Sequence, residues 1–234
     1  MNILRHTTPA RPSPPPAQQR AQFHRDLEAL EEQTQGMAAL ARQSLGLSVR
    51  ALVRKDPALC ESVIAGDDEL DQQYQQITRR AIDLLARQQP VASDLRLLVA
   101  LIHTALHLER IGDMAVNVAQ AARAAMSLPV NPAIVQRLHD MGDAAASMTD
   151  LAALAFSQRD RNACERLPTL DERIDQINRD MITHVLACSD DGQQLEWAIR
   201  MMQVSRYLER AADHAVDIAE QAWFLMTGEL RELD

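Results

Sequence analysis

The segment LERIGDMAVNVA, residues 108–119, returns in altered form as LERAADHAVDIA, residues 208–219. Seven of the twelve positions are identical at a shift of 100 residues. Further upstream the shift becomes 104, and it aligns the pairs Met37/Met141, Asp56/Asp160, Cys60/Cys164, Asp67/Asp171 and Asp71/Asp175. The chain is therefore an internal duplication, and each copy should form one structural unit.

The composition favours an all-α fold. The 234 residues are 47% hydrophobic, but aromatic residues make up only 3% and there are seven glycines. Such a chain, rich in Ala, Leu, Gln, Glu and Arg, forms helices more readily than strands. Each copy divides into three helical segments, so we predict two tandem, repeat-related three-helix bundles, antiparallel within each and joined end to end. Their predicted limits are residues 20–128 and 129–234, after a disordered proline-rich tail at residues 1–19.

Capping signals mark the expected helix boundaries. Asp56-Pro57 and Asn131-Pro132 each place a capping side chain before a proline at the first helical position. In the first copy these signals predict a second helix that runs to about Gln89 and a third that starts at Ser93 or Asp94. The last helix of the second copy should stop near Gly228, because glycine commonly ends helices.

Charge and hydropathy exclude several functional classes. The formal net charge is −9 and there is no basic run to neutralise a phosphate backbone, so nucleic acid is not an expected partner. No apolar segment approaches the roughly 20 residues needed to span a bilayer. The three widely spaced cysteines (Cys60, Cys164 and Cys188) are typical of small buried side chains in a reducing compartment, which favours a cytoplasmic location.

Acidic residues recur on the packed side of the helices in both copies. On an α-helix, residues four apart lie on neighbouring parts of one face. The first copy has Asp67 and Asp71 on its second helix and Glu109 and Asp113 on its third. The corresponding residues of the second copy are Asp171, Asp175, Glu209 and Asp213. If the second and third helices are antiparallel neighbours, each bundle brings four carboxylates together.

Two interpretations of these acids remain open. Clustered carboxylates near a surface of low dielectric constant repel one another and are costly to desolvate, and a multivalent cation would remove both penalties. The oxygen ligands suit a divalent or trivalent metal ion such as magnesium, manganese, iron or zinc. The alternative is an ordinary solvated helix face whose acids pair with arginines. We expect His103, His107 and His214 to be surface residues, with His103 and His107 opposite the acids.

The repeated LERIGD and LERAADHAVD segments, each preceded by a D-x-x-x-D motif, resemble the PhoU family of bacterial phosphate-uptake accessory and signalling proteins. The resemblance covers about residues 23–227. It implies two similar three-helix bundles side by side, in a protein that is usually a cytoplasmic homodimer. It also implies a metal-binding negative regulator of phosphate-starvation signalling. Such a protein couples the ATPase subunit of a phosphate ABC transporter to a sensor histidine kinase and reaches the membrane only through these partners.

The resemblance also assigns metal-binding positions. The family's E-x-x-x-D motif falls on Glu109 and Asp113 and on Glu209 and Asp213. The further positions are Asn117, Asp217, Asp67, Asp71, Asp171 and Asp175. The family's Gly-Asp-His is incomplete in both copies, which read Gly-Asp-Met at 112–114 and Ala-Asp-His at 212–214.

Two other classes compete with this hypothesis. A di-metal carboxylate enzyme of the ferritin-like type needs two Glu-x-x-His motifs in one bundle, and the chain has none. No nucleophile lies at motif spacing from a base and no glycine-rich phosphate loop is present, so we predict a non-enzymatic protein without catalytic residues. The remaining alternative is a metal-free dimerisation or adaptor module.

Overall fold

The computed structural model describes residues 17–233, and this part of the chain folds into helices joined by short connections. The helices are α1 (Ala17–Arg54), α2 (Pro57–Ala65), α3 (Asp67–Gln88), α4 (Ala92–Ala124), α5 (Pro132–Gln158), α6 (Arg161–Leu186) and α7 (Gly192–Thr227). The all-α prediction is confirmed. The predicted tail lies almost entirely outside the described residues, apart from positions 17–19, which belong to α1.

Most predicted helix boundaries agree with the structure. The Asp56 side chain accepts hydrogen bonds from the Ala58 and Leu59 amides, and the Asn131 side chain caps α5 in the same way. Gly228 ends α7 in the left-handed conformation, with φ of 79°. That conformation favours glycine because it has no Cβ.

Two boundaries in the first copy differ from prediction. The expected second helix is divided at Gly66, whose amide bonds to the Ser62 and Val63 carbonyls. Glycine is a poor helix former, so the chain takes a tighter turn here before α3 begins. The third helix begins at Ala92, one residue before predicted Ser93, but Ala92 itself has a left-handed φ of 52° and no side chain caps the helix.

Two bundles lie side by side. The first contains α1 to α4, and the second contains α5, α6 and α7. Across the boundary α4 packs on α7 and α1 packs on α5, and both bundles share one continuous hydrophobic core. This arrangement corrects the end-to-end joining predicted from the repeat and agrees with the family resemblance. An ion pair of 2.7 Å between Arg42 and Asp150 joins α1 to α5 at the surface.

Small side chains allow this close packing. The central helices α4 and α7 bury many alanines without residual exposure, among them Ala105, Ala115, Ala211 and Ala215. The three cysteines are free and buried, as expected. None of the described helices is long and apolar enough to cross a membrane.

Candidate metal centre

The acids of the second copy converge where α6 packs on α7. Carboxylate oxygens of Asp171, Asp175 and Asp213 all lie within 4.8 Å of one another. Asp171 and Asp175 are one turn apart on α6, and Asp213 faces them from α7. Glu209, one turn before Asp213, is close enough to influence the ionisation of Asp171. Three of the four predicted carboxylates are therefore brought together in this bundle, and Glu209 lies nearby on the same helix as Asp213.

Asp171, Asp175 and Asp213 line an open cleft of about 360 Å³. Its walls carry Asp171, Glu172, Asp175, Asp213, Asp217 and Glu220, together with Pro168, Val216 and Leu233. Pro168 lies inside α6 and lacks an amide proton, so the helix turn next to the cleft has one internal hydrogen bond fewer. The chain after Gly228 returns along α7, and the Leu233 amide donates to Glu220 at 2.9 Å.

Ionisation of these acids is strongly perturbed. Burial, and then the charges of Asp213, Asp175 and Glu209, raise the pKa of Asp171 to about 7. Burial and neighbouring carboxylates also raise the pKa of both Glu209 and Asp213. Of the described residues, six acidic ones and no basic one line the cleft, although Arg179 pairs with Glu172 and Asp175 from its edge and two histidines contact Asp217. This excess of negative charge favours the binding of a cation.

The donor atoms present fit a cation. Asp171 Oδ1 is buried and has no hydrogen-bond partner. Arg179 approaches from the solvent side, 3.4 Å from Asp175 and 2.5 Å from exposed Glu172, so it leaves Asp171 unpaired. A buried carboxylate oxygen without a partner is costly, and a metal ion would supply the missing interaction.

The first copy assembles the same four positions less tightly. Burial raises the pKa of Asp67, with further contributions from Asp71 and Asp113. Burial and Asp113 likewise raise the pKa of Glu109. Arg110 lies 3.0 Å from Asp113 and 3.4 Å from Glu109, so an internal cation already shares this site. Within the described part of the chain, these four acids do not form a group whose ligand atoms all lie within 4.8 Å of one another.

Gly112 explains how α3 and α4 approach each other beside these acids. A Cβ at this position would lie 2.5 Å from Cδ1 of Leu70, which is buried between Asp67 and Asp71. The glycine of the LERIGD segment thus brings the two acidic pairs together. The second copy has buried Ala212 at the corresponding position.

The two outermost predicted ligands, Asn117 and Asp217, behave differently. Asn117 is half-buried, and no hydrogen bond or ion pair between described residues joins it to the first acidic set. Asp217 borders the cleft, but its Oδ2 contacts His107 and His214 at 3.2 and 3.1 Å. Burial acts to raise the pKa of Asp217, yet the two histidine hydrogen bonds outweigh it and hold that pKa below its usual range.

The prediction that His107 and His214 are surface residues was wrong. Each side chain is only 18% exposed, because both rings lie between α4 and α7. His107 lies on the side of α4 away from the acids of that helix, as predicted, but that side packs on the other bundle. His103, one turn earlier, is exposed as predicted.

Comparison with known proteins places the chain in a family. The family model described as the PhoU domain matches twice, at residues 34–122 and 138–222. The chain belongs to the PhoU family. A Rhizobium meliloti relative, named phosphate-specific transport system accessory protein PhoU homolog, is 30% identical over 88% of this chain and 87% of its own length. The two PhoU matches correspond to the two copies of the internal repeat.

Solved PhoU structures share the fold. The crystal structure of PhoU from Pseudomonas aeruginosa superimposes with a TM-score of 0.82 at 28% identity, covering 88% of this chain and all of that one. The phosphate transport system regulatory protein PhoU from Streptococcus pneumoniae gives the same TM-score at 27% identity, with coverage of 90% and 100%. Because PhoU proteins bear accessory and regulatory names, the prediction of a non-enzymatic protein is confirmed at the level of the family.

Proposed function

We propose that this protein is a cytoplasmic negative regulator of phosphate-starvation signalling that also modulates phosphate uptake. The observation that carries the proposal is the PhoU domain present in both copies of the repeat. The relatives named as accessory proteins of the phosphate-specific transport system support it. The described residues supply acidic helix faces, which suit an adaptor that docks on other proteins.

The proposed partners follow from the family. The protein would act as a homodimer that couples the ATPase subunit of a phosphate ABC transporter to a sensor histidine kinase, with membrane contact only through these partners. The net charge of −9 supports docking on basic protein surfaces and disfavours nucleic acid.

The acidic clusters would hold the metal ions. In the second bundle Asp171, Asp175, Glu209 and Asp213 are the proposed ligands, and the unpaired buried Asp171 oxygen supports this assignment. A bound ion would neutralise the carboxylates and hold α6 against α7. Oxygen donors suit magnesium, manganese or iron. In the first bundle Arg110 competes with the ion, so we expect weaker binding there.

Alkaline phosphatase activity in phosphate-rich medium tests the regulatory role. Deleting the gene should raise this activity, and the intact gene should return it to the low level of the parent strain. Low activity in the deletion strain, with no second copy of the gene present, would contradict the proposal.

A second comparison tests the part played by the acids. The deletion strain is complemented with Glu209→Ala/Asp213→Ala or with the matched surface variant Glu196→Ala, which lies on the same helix outside the cleft and whose side chain is 54% exposed. We expect only the double variant to lose repression and to bind less Mn²⁺ by equilibrium dialysis. Full repression by the double variant would favour the metal-free adaptor module instead.

A further inference from the structure

Two histidines and an aspartate meet between the bundles. His107 lies on α4 of the first bundle, whereas His214 and Asp217 lie on α7 of the second. His107 Nδ1 is 3.3 Å from His214 Nδ1. Asp217 Oδ2 is 3.2 Å from the first nitrogen and 3.1 Å from the second. The three atoms therefore form a nearly equilateral triangle.

Two arrangements can satisfy this triangle. With a proton on each Nδ1, both N–H groups donate to Asp217 Oδ2 and lie side by side, with their nitrogens 3.3 Å apart. With both Nδ1 atoms unprotonated, their lone pairs and the carboxylate face one another and need a cation between them. The second arrangement is the one that a metal ion would stabilise.

The spacing is that of ligand atoms around one metal ion. A tetrahedral zinc centre with bonds of about 2.0–2.1 Å keeps its ligand atoms about 3.3 Å apart. An ion placed slightly outside the plane of the triangle would reach all three atoms at bonding distance. The side chains retain 18%, 18% and 39% exposure, so solvent can supply a fourth ligand and the ion can enter.

We propose that His107, His214 and Asp217 form a separate site for a borderline divalent cation of the Zn²⁺ type, which joins the two bundles. Two imidazole nitrogens and one carboxylate favour such an ion over Mg²⁺ or Ca²⁺, which prefer oxygen ligands. The site differs from the acidic clusters in its ligand chemistry and in linking α4 to α7. It does not depend on the proposed regulatory function.

The repeat provides natural reference residues for this site. At a shift of 100 residues, His107, His214 and Asp217 correspond to Tyr207, Met114 and Asn117. The corresponding positions thus lack both imidazoles and the carboxylate. We therefore expect one such ion per chain, not two.

Zinc titration of the full-length, metal-stripped protein in millimolar Mg²⁺ tests the proposal, because Mg²⁺ occupies oxygen-only sites. We expect one tight Zn²⁺ equivalent per chain. The variants His107→Gln and His214→Met should each weaken the affinity for this Zn²⁺ ion at least about 100-fold. The second variant introduces the residue found at the corresponding position 114. Changes to residues that only hydrogen-bond to a metal ligand already weaken metal binding about 10–100-fold, so loss of a direct ligand should cost more.

Two matched variants locate the ion. His103→Gln removes an exposed histidine one turn from His107, and Asp171→Asn alters the acidic cleft; both should keep the Zn²⁺ equivalent. Unchanged Zn²⁺ affinity in both of the His107 and His214 variants would overturn the proposal. Loss of the equivalent in Asp171→Asn alone would assign the ion to the acidic cleft.

Two measurements on the unaltered protein apply even if a variant fails to fold. Co²⁺ in place of Zn²⁺ should give the intense visible absorption of a four-coordinate ion. Ring resonances of two of the seven histidines should shift on Zn²⁺ addition in a nitrogen-15 NMR spectrum. Weak octahedral Co²⁺ bands together with no histidine shift would contradict the site.

Discussion

Asp171 shows how one residue can carry the electrostatic character of the acidic cleft. Its side chain is partly buried on α6, and carboxylates approach it from both α6 and α7. The pKa of about 7 means that the metal-free protein holds a proton there at mildly acidic pH. A bound cation would displace that proton, so metal binding to the cleft should release protons below pH 7.

The same residue gives a pH-dependent prediction for the metal-free protein. The carboxyl titrates near its ordinary value of 3.8 in the unfolded chain and at about 7 in the folded one. Between these values the folded protein keeps a proton that the unfolded chain has released, so it loses stability as pH rises. The free energy of unfolding of Asp171→Asn should therefore exceed that of the wild type by about 1–2 kcal/mol at pH 8, a figure already reduced for solvent screening. At pH 4 the two free energies should be almost equal.

Urea denaturation in chelator at several pH values measures this difference. Glu165→Gln, at an exposed position of the same helix, is the control and should follow the wild type throughout. Parallel pH profiles for Asp171→Asn and the wild type would show that the cleft does not perturb this carboxyl.

At the scale of helices, two glycines that both lie inside helices differ in what surrounds them. A Cβ on Gly142 of α5 would lie 2.4 Å from Cγ2 of Val49 and 2.9 Å from its Cγ1, on α1 of the other bundle. Around Gly36 of α1 there is no atom within 4 Å of such a Cβ. Helix spacing between the bundles thus depends on the first glycine and not on the second.

Alanine substitution should separate these roles. Gly142→Ala should lower the free energy of unfolding by about 1–3 kcal/mol, because valine is stiff and the buried contact has no room to relax. Gly36→Ala should raise it by about 0.5–1 kcal/mol, since alanine is the better helix former. Thermal and chemical denaturation of both variants measure the changes; equal effects would show that α1 and α5 separate easily.

For the whole molecule, the continuous core predicts that the two bundles unfold together. Met37 and Met141 are repeat-related and fully buried, one in each bundle. Met37→Ala and Met141→Ala should each destabilise the protein by about 2–5 kcal/mol and shift one common transition. Calorimetry together with helical circular dichroism checks this. A melt with two steps, of which each variant moves only one, would indicate independent bundles.

Sequence reasoning predicted the helices well because their signals are local. Asp56, Asn131 and Gly228 act within a turn of where they stand, and the repeat supplies each assignment twice. It also predicted that carboxylates of the second and third helices of a bundle would lie together, because antiparallel neighbouring helices are enough for that, and Asp171, Asp175 and Asp213 do so. Whether those carboxylates bind metal stays a prediction.

The position of the histidines was not predictable from one helix at a time. A helix in an isolated bundle has one packed side, so the sequence of α4 alone predicts that the side opposite its acids faces solvent. In the structure α4 is packed on two sides, and α7 of the other bundle covers His107. The signal that could have found this is the alanine content of α4, since a helix so rich in small buried residues is packed on more than one side.

Tandem duplication has a consequence for symmetry. Two identical subunits related by a two-fold axis carry every surface twice, and a substitution in one appears in the other. Here both units belong to one chain, so Met114 and His214 occupy corresponding positions without being the same residue. Mutations in the single gene can therefore change one bundle while leaving the other bundle intact. The product has distinguishable ends, and a partner docking on it can recognise which way round it lies.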